Sequence, residues 1–457
     1  MSPAAVGDAI AETAGRKTVD RASPADLMQL AADTGPAPMH IGAVLELATE
    51  PDFSLADAQR LLGERIGAVP RLRRRLCRAP FGCGRPFWAD DPAFDLRHHV
   101  RQRPCPPPAD ERALLTAAAS ITSEPLPRSR PLWSATFVTG LASGGTGLVI
   151  VMNHVLADGI GGLAVLASLL DAAPSPPPAD PPTVPFPVAV PPARVLAADA
   201  WAGRARRLTH PEPSWRMVRQ GLAELGGARL PRRLAKTSLN RPTGPRRRLD
   251  VVTADLSATR RLGHACGGTV NDVLLAAIAG ALRALLASRG ERLDLVTASV
   301  PVSARQVAAA GGNLGNQVGV MPVTVPATGD IAARVTRIAA ITRARKTAGR
   351  GTSAALLGLP FRLLAGTGLL RAFFSRQRLI HTFVTNLRGP EEPLAFAGAQ
   401  VRSMIPIPST TGNVTVTFGV LSYAGTLRLT VLSDPSRVPD VAVLTAALRQ
   451  ELGGAAR

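Results

Sequence analysis

Tyrosine occurs once in the 457 residues, and aromatic residues together reach only 4%. With no zinc-finger, RNA-recognition or helix-turn-helix signature beside that scarcity, the chain is a poor candidate for reading nucleic acid. Cysteine occurs four times, as Cys77, Cys83, Cys105 and Cys266, never at CxxC spacing. Neither a structural zinc site nor a disulfide framework is expected, and free thiols in the cytoplasm are the default. The first twenty residues carry no basic stretch followed by an apolar core, so no signal peptide is expected. The best candidate for a membrane span, Ala354–Phe374, is broken by Pro360, Arg362 and Arg371, which reads as a core-packing helical hairpin or an interfacial segment and not as a membrane span. A G-x-S-x-G elbow, a P-loop and a dinucleotide fingerprint are all missing; Gly159–Gly162 has neither the lysine nor the spacing. Without a nucleophile of its own, the chain would have to activate one brought by a substrate.

What the sequence has in excess is positive charge: 53 Lys and Arg against 33 Asp and Glu, a formal net charge of +20. One reading is attraction to an anionic membrane surface or a phosphorylated small molecule. The other is the compositional bias of an arginine- and alanine-rich chain. The 41 prolines and 42 glycines show no fixed period, and 46% hydrophobic residues supply ample core for two or three domains. Residues 1–20 read as a disordered N-terminus and 21–172 as an α/β domain. Residues 173–247 read as a Pro-rich and basic linker with a helical part, in which Trp215, Val218, Leu222 and Leu225 share one helical face. Residues 248–457 read as a second α/β domain, since strands and helices alternate in both halves. His98-His99, beside Asp95, reads as a surface pair.

One short stretch carries the chemistry. GLVIVMNHVLADGIGGLAVL, from residue 147, places a β-branched strand before His154 and a glycine turn with an apolar helix after Asp158. A neutral imidazole at a strand exit is suited to general-base work near neutral pH, and an aspartate four residues on could fix the loop or the tautomer. Two plainer readings stand beside this: a satisfied core histidine, and an aspartate that serves only as a helix N-cap. Metal binding by His154 and Asp158 alone is too sparse to expect.

NHVLADG resembles the HHxxxDG motif of the acyltransferase superfamily that includes chloramphenicol acetyltransferase and peptide-synthetase condensation domains. The flanking segments narrow the resemblance to the bacterial wax ester synthase/diacylglycerol acyltransferase family: SPADLMQLAAD and PMHIGAVLEL, PLWSATFVTGL, TVNDVLLAAIAGALR, VPVSAR, GGNLGNQVGVMPV, NLRGPEEPLAFAGAQV and SYAGTLRLTVLSDPSRVPD. They run in the family's order over roughly residues 21 to 452.

The resemblance implies an α/β fold of two tandem chloramphenicol-acetyltransferase-like domains joined by a Pro-rich crossover, with the active site in a tunnel between them. It implies transfer of a fatty acyl group from acyl-CoA, as co-substrate with no other cofactor, to diacylglycerol or a long-chain alcohol. His154 would be the general base and Asp158, with Gly159, would shape the loop, with Arg305 a partner for the aspartate. Asn271 and Asp272 would be architectural. Asn153 stands where the family has its first histidine; it cannot act as a base but can donate and accept hydrogen bonds. The expected location is cytoplasmic, peripheral on the inner face of the membrane or on a lipid droplet. The alternatives are a weakly active lipid-binding protein at a membrane surface, or transfer to another hydroxylated acceptor.

Overall fold

The computed structural model describes residues 19–33, 35–50, 53–67, 69–171, 186–209, 234–303, 318–347 and 369–454. Almost all of the expected disordered N-terminus, the face carrying Trp215 to Leu225, Arg305, and most of the GGNLGNQ and Ala354–Phe374 segments lie outside the described residues.

Two six-stranded sheets form the framework. The first has the order β11-β12-β1-β6-β5-β4 and the second β7-β14-β13-β10-β8-β9. The strands of the first sheet from the N-terminal half are β1 (His40–Ala48), β4 (Val100–Pro104), β5 (Trp133–Thr139) and β6 (Thr146–Asn153); β2 (Arg74–Cys77) and β3 (Phe87–Asp90) form a separate hairpin. β5 and β6 pair antiparallel, as the glycine turn between them implies. The second sheet is built from β7 (Arg248–Asp255), β8 (Leu295–Ser303), β9 (Val318–Pro326), β10 (Thr382–Arg388), β13 (Val416–Tyr423) and β14 (Thr426–Ser433).

The remaining strands, β11 (Ala395–Phe396) and β12 (Ala399–Ile407), come late in the chain yet join the first sheet, where β12 pairs antiparallel with β1 from Gly42↔Ile407 to Ala48↔Gln400. The division at residue 248 therefore follows the chain but not the sheets. β12 alternates buried and exposed residues from Ala399 to Arg402 and is buried throughout from Ser403 to Ile407, and neither stretch says which sheet it joins. The single tyrosine fastens this crossing: Tyr423, buried on β13, donates to the Val401 carbonyl on β12 and accepts from the Leu394 amide, at 2.8 and 2.7 Å.

Ten helices cover these sheets among the described residues: α1 (Pro24–Ala32), α2 (Leu55–Gly67), α3 (Glu111–Ser123), α4 (Gly159–Leu169), α5 (Ala193–Thr209), α6 (Leu256–Ala265), α7 (Val270–Ser288), α8 (Ile331–Thr347), α9 (Leu369–Arg376) and α10 (Val441–Gly454). The one described helix long and apolar enough to cross a membrane, α7, is the core helix of the second sheet, with Val273 to Leu286 packed against β-strand residues such as Phe418 and Val431. α3 bridges the halves. Its Leu114 and Ala118 share a cluster with Val149 and Val151 of β6 and with Leu249 and Leu432 of the second sheet, and Arg112 pairs with Asp250 at 2.9 Å.

The histidine pair behaves differently from the surface reading. His98 is exposed, but His99 is buried between Phe94 and Trp133, stacked on both at 5.3 and 4.5 Å between ring centres, with its Nδ1 2.9 Å from the Trp133 carbonyl. Its flat ring fills a slot between two aromatic rings, and polar neighbours in sequence gave no sign of it.

Candidate active site

Strand parity positions the site. On β6, Leu148, Ile150 and Met152 face one side and Val149 and Val151 the other, as the period of two requires. The next residue on the first side is His154. It lies just past the strand end, half-buried, in the wall of a cavity of about 660 Å³ that Ile150 and Met152 also line. Asn153 takes the opposite side and does not line the cavity. Its amide nitrogen donates to Asp33 at 3.0 Å, and its side-chain oxygen accepts from the Val155 amide at 3.0 Å. Both ends of the amide are used, so an asparagine here ties the loop to the segment after α1.

The loop between strand and helix is held along its length. The His154 amide donates to Met39, the Asn153 amide to Leu132 and the Leu156 amide to Asn153, each at 2.9 Å. Val155, Leu156 and Ala157 are buried. Asp158 is 1% exposed and its Oδ1 accepts from the Gly161 amide at 2.8 Å, so it is the N-cap of α4. Gly159 starts the helix against the second sheet: a Cβ there would lie 3.2 Å from Leu387 Cδ2. At Gly42, on the neighbouring β1, a Cβ would fall 2.1 Å from the Ile150 carbonyl oxygen. Only glycine lets β1 and β6 close at that point of the cavity wall.

The opposite wall belongs to the second half. β8 contributes Ser299, β10 contributes Thr385, Asn386 and Leu387, and β13 contributes Gly419 to Leu421. α1 adds Met28, Gln29 and Ala32, and α9 adds Phe373 and Phe374. The cavity thus lies between the sheets, mostly apolar, with a few polar groups spaced along it. Ser299, Gln377, Asn386 and Thr410 were not singled out from the sequence. The available signal was the end of an apolar strand: Asn386 sits near the carboxyl end of β10, which is flanked by parallel neighbours, where ligand crevices form in α/β sheets.

Asn271 and Asp272 lie elsewhere. Asp272, 2% exposed at the start of α7, accepts from the Thr269 amide (2.8 Å), the Thr269 hydroxyl (2.7 Å) and the Thr342 hydroxyl (2.8 Å). Neither residue lines the cavity. Arg305 lies outside the described residues. Among the described residues, no group of three or more His, Cys, Asp or Glu side chains is placed to hold a metal ion.

Comparison with known proteins gives the arrangement a setting. Residues 22–274 match the model of the wax ester synthase/diacylglycerol acyltransferase catalytic domain, and residues 314–454 that of the C-terminal domain of the same family. A Mycobacterium tuberculosis protein named for diacylglycerol O-acyltransferase, Rv3087, is 31% identical over 465 residues, covering 94% of this chain and 96% of its own. The wax ester synthase/diacylglycerol acyltransferase from Marinobacter aquaeolei VT8 superposes with a TM-score of 0.67 at 20% identity, covering 95% of this chain and 98% of that one. A starter condensation domain of rhizomide synthetase, solved with C8-CoA, superposes with a TM-score of 0.61 at 15% identity, covering 98% and 96%. The two-domain α/β architecture is thus shared with this group of acyltransferases and with condensation domains.

Proposed function

Because the chain belongs to the wax ester synthase/diacylglycerol acyltransferase family, we propose that this acyltransferase moves a fatty acyl group from acyl-CoA to the hydroxyl of diacylglycerol or a long-chain alcohol, with His154 as general base. The observation that carries the reading is His154 itself: an imidazole at the end of a rigid strand, in the wall of an otherwise largely apolar cavity. Such a cavity suits acyl chains, and its few polar groups suit the reacting ends.

In this reading the imidazole takes the acceptor's hydroxyl proton as its oxygen bonds to the thioester carbonyl carbon. The tetrahedral adduct then expels the CoA sulfur, which receives that proton from the imidazolium. One ester and free CoA result, with no acyl-enzyme. Asp158 and Asn153 act at a distance: the first caps α4, the second anchors the strand end, and together they fix where the imidazole points. The donor is supported by the fold's occurrence with C8-CoA in the condensation domain. The acceptor class is supported by the mycobacterial relative's name.

Labelled palmitoyl-CoA with purified protein, and dioleoylglycerol or hexadecanol as acceptor, tests the reading. Labelled triacylglycerol or wax ester from the wild type names the acceptor. Hydrolysis of the thioester alone, or no turnover by folded protein with either acceptor, would count against it.

A further inference from the structure

Ser299 carries a buried hydroxyl into the second wall of the cavity. Alternation along β8 turns Val296 and Ala298 into the core with α7 and leaves Ser299 on the other side, in the cavity wall. Its neighbours across the sheet, Phe383 on β10 and Pro322 on β9, line the cavity too and offer the hydroxyl no polar side chain. A strand also gives a serine no carbonyl one turn back. On α3, Thr122 and Ser123 find such partners at Ala118 and Ala119, at 2.7 and 2.8 Å.

Among the described residues, the buried polar side chains of the cavity wall are Asp158, Ser299, Gln377 and Thr410. Three of them are engaged by the protein. Asp158 caps α4, Gln377 donates to the Asn413 side-chain oxygen at 2.8 Å, and Thr410 donates to the Val414 carbonyl at 2.7 Å. Ser299 is 1% exposed, and its hydroxyl has no hydrogen-bond partner among the described residues. Buried hydroxyls are otherwise paired, because leaving one unmade costs its desolvation.

Register sets this hydroxyl back from the reacting end. The loop carrying His154 ends at Gly159, where a Cβ would lie 3.2 Å from Leu387 Cδ2 and 3.6 Å from Thr385 Cγ2. Phe383, the neighbour of Ser299, comes two residues before Thr385 on β10, about 7 Å back along the strand.

We propose that Ser299 donates a hydrogen bond to a substrate carbonyl lying a few atoms from the reacting centre. The inference rests on the acyl-transfer reading for the identity of the ligands. Two of them carry such a carbonyl: acyl-CoA in the amide nearest its sulfur, and diacylglycerol in the ester beside its free hydroxyl. A long-chain alcohol has none, so this serine bears on the choice of acceptor.

Equilibrium binding to the full chain tests the proposal, with labelled palmitoyl-CoA, dioleoylglycerol and hexadecanol each added alone to wild type, Ser299→Ala and Ser299→Cys. Neither variant loses a protein hydrogen bond, so both should keep the wild-type Tm. The Kd of a carbonyl-bearing ligand should rise about two- to tenfold, the loss of one neutral hydrogen bond, with that of hexadecanol unchanged. A rise for dioleoylglycerol assigns the hydroxyl to the acceptor's ester, and a rise for palmitoyl-CoA assigns it to the donor's amide. Unchanged Kd for both, an equal rise for all three ligands, or a clearly lowered Tm would overturn the proposal. A wild type that bound all three ligands without transferring the acyl group would sink the acyl-transfer reading alone. One that bound none would sink both.

Discussion

Asp158 and Asp272 each hold the first turn of an apolar helix, and their surroundings differ completely. Asp158 follows a strand whose parity delivers His154 to a cavity, and it caps α4, whose first turn holds three glycines and forms the cavity wall. Asp272 is the third residue of α7, the most deeply buried helix of the second half, and completes a capping box with the N-cap Thr269, with Thr342 closing over it. At the level of local sequence both tie down the first turn of an apolar helix, Asp158 as the N-cap and Asp272 from within a capping box. The difference lies in whether the helix end meets space or packed side chains. A cap fixes backbone position in both places, but only at Asp158 does the fixed backbone present a titratable ring to a substrate-sized volume.

The largest expected effect is on the cavity side. His154→Ala should cut turnover by about 10²- to 10⁴-fold, the range for loss of a general base, while leaving the melting temperature near the wild-type value. On the core side, Asp272→Ala removes the acceptor for the Thr269 amide and hydroxyl and for the buried Thr342 hydroxyl. It should cost about 2–4 kcal/mol in urea unfolding, with turnover per folded molecule unchanged.

Protonation should separate the same regions. His381, buried just before β10 and alongside β8, accepts from the Thr297 amide at 3.0 Å through Nδ1, and burial pushes its pKa down from 6.5 to about 4. Burial also lowers His40 and His99 in the first half. These groups are neutral when folded and bind protons more readily when unfolded. Stability should therefore be full above about pH 6.5 and decline as pH falls toward 4. The His381 contribution is on the order of 3 kcal/mol. Melting curves across this window check the decline, and His381→Gln should flatten it.

The smallest effect is expected at Asn153. Asn153→Ala removes the hydrogen bonds to Asp33 and from the Val155 amide and should cost about 1–2 kcal/mol, with a modest fall in kcat as the His154 loop loosens. Paired unfolding and kinetic measurements would show both. A variant with lowered stability and wild-type kcat would mean that the loop's other backbone bonds suffice to aim the imidazole.

Much of the local structure was legible in the sequence. The strand before His154, the turn after it, the capped helix at Asp272 and the last helix follow from periodicity and caps within windows of ten to twenty residues, whereas Leu256–Ala265 and Ile331–Thr347 were not read as helices. What was not legible is long-range. The return of β12 to the first sheet joins residues more than 350 apart in sequence (Gly42 with Ile407), and the strand's own pattern is compatible with either sheet. The second wall of the cavity, with Ser299 and Asn386, depends on that return. His99 was misjudged because its polar neighbours are exposed while its ring alone fills the slot between Phe94 and Trp133. Parity along β6 is written in the sequence itself: alternate residues face opposite sides, which separates His154 from Asn153.

The most direct test measures kcat per folded molecule and Tm side by side for His154→Ala and Asp272→Ala with palmitoyl-CoA and the preferred acceptor. The His154 variant should keep a near-normal Tm with turnover reduced at least about 100-fold, and the Asp272 variant should show a lowered Tm with normal turnover. A His154 variant that keeps its turnover, or an Asp272 variant that loses it while folded, would contradict the assignment of chemistry to the cavity side.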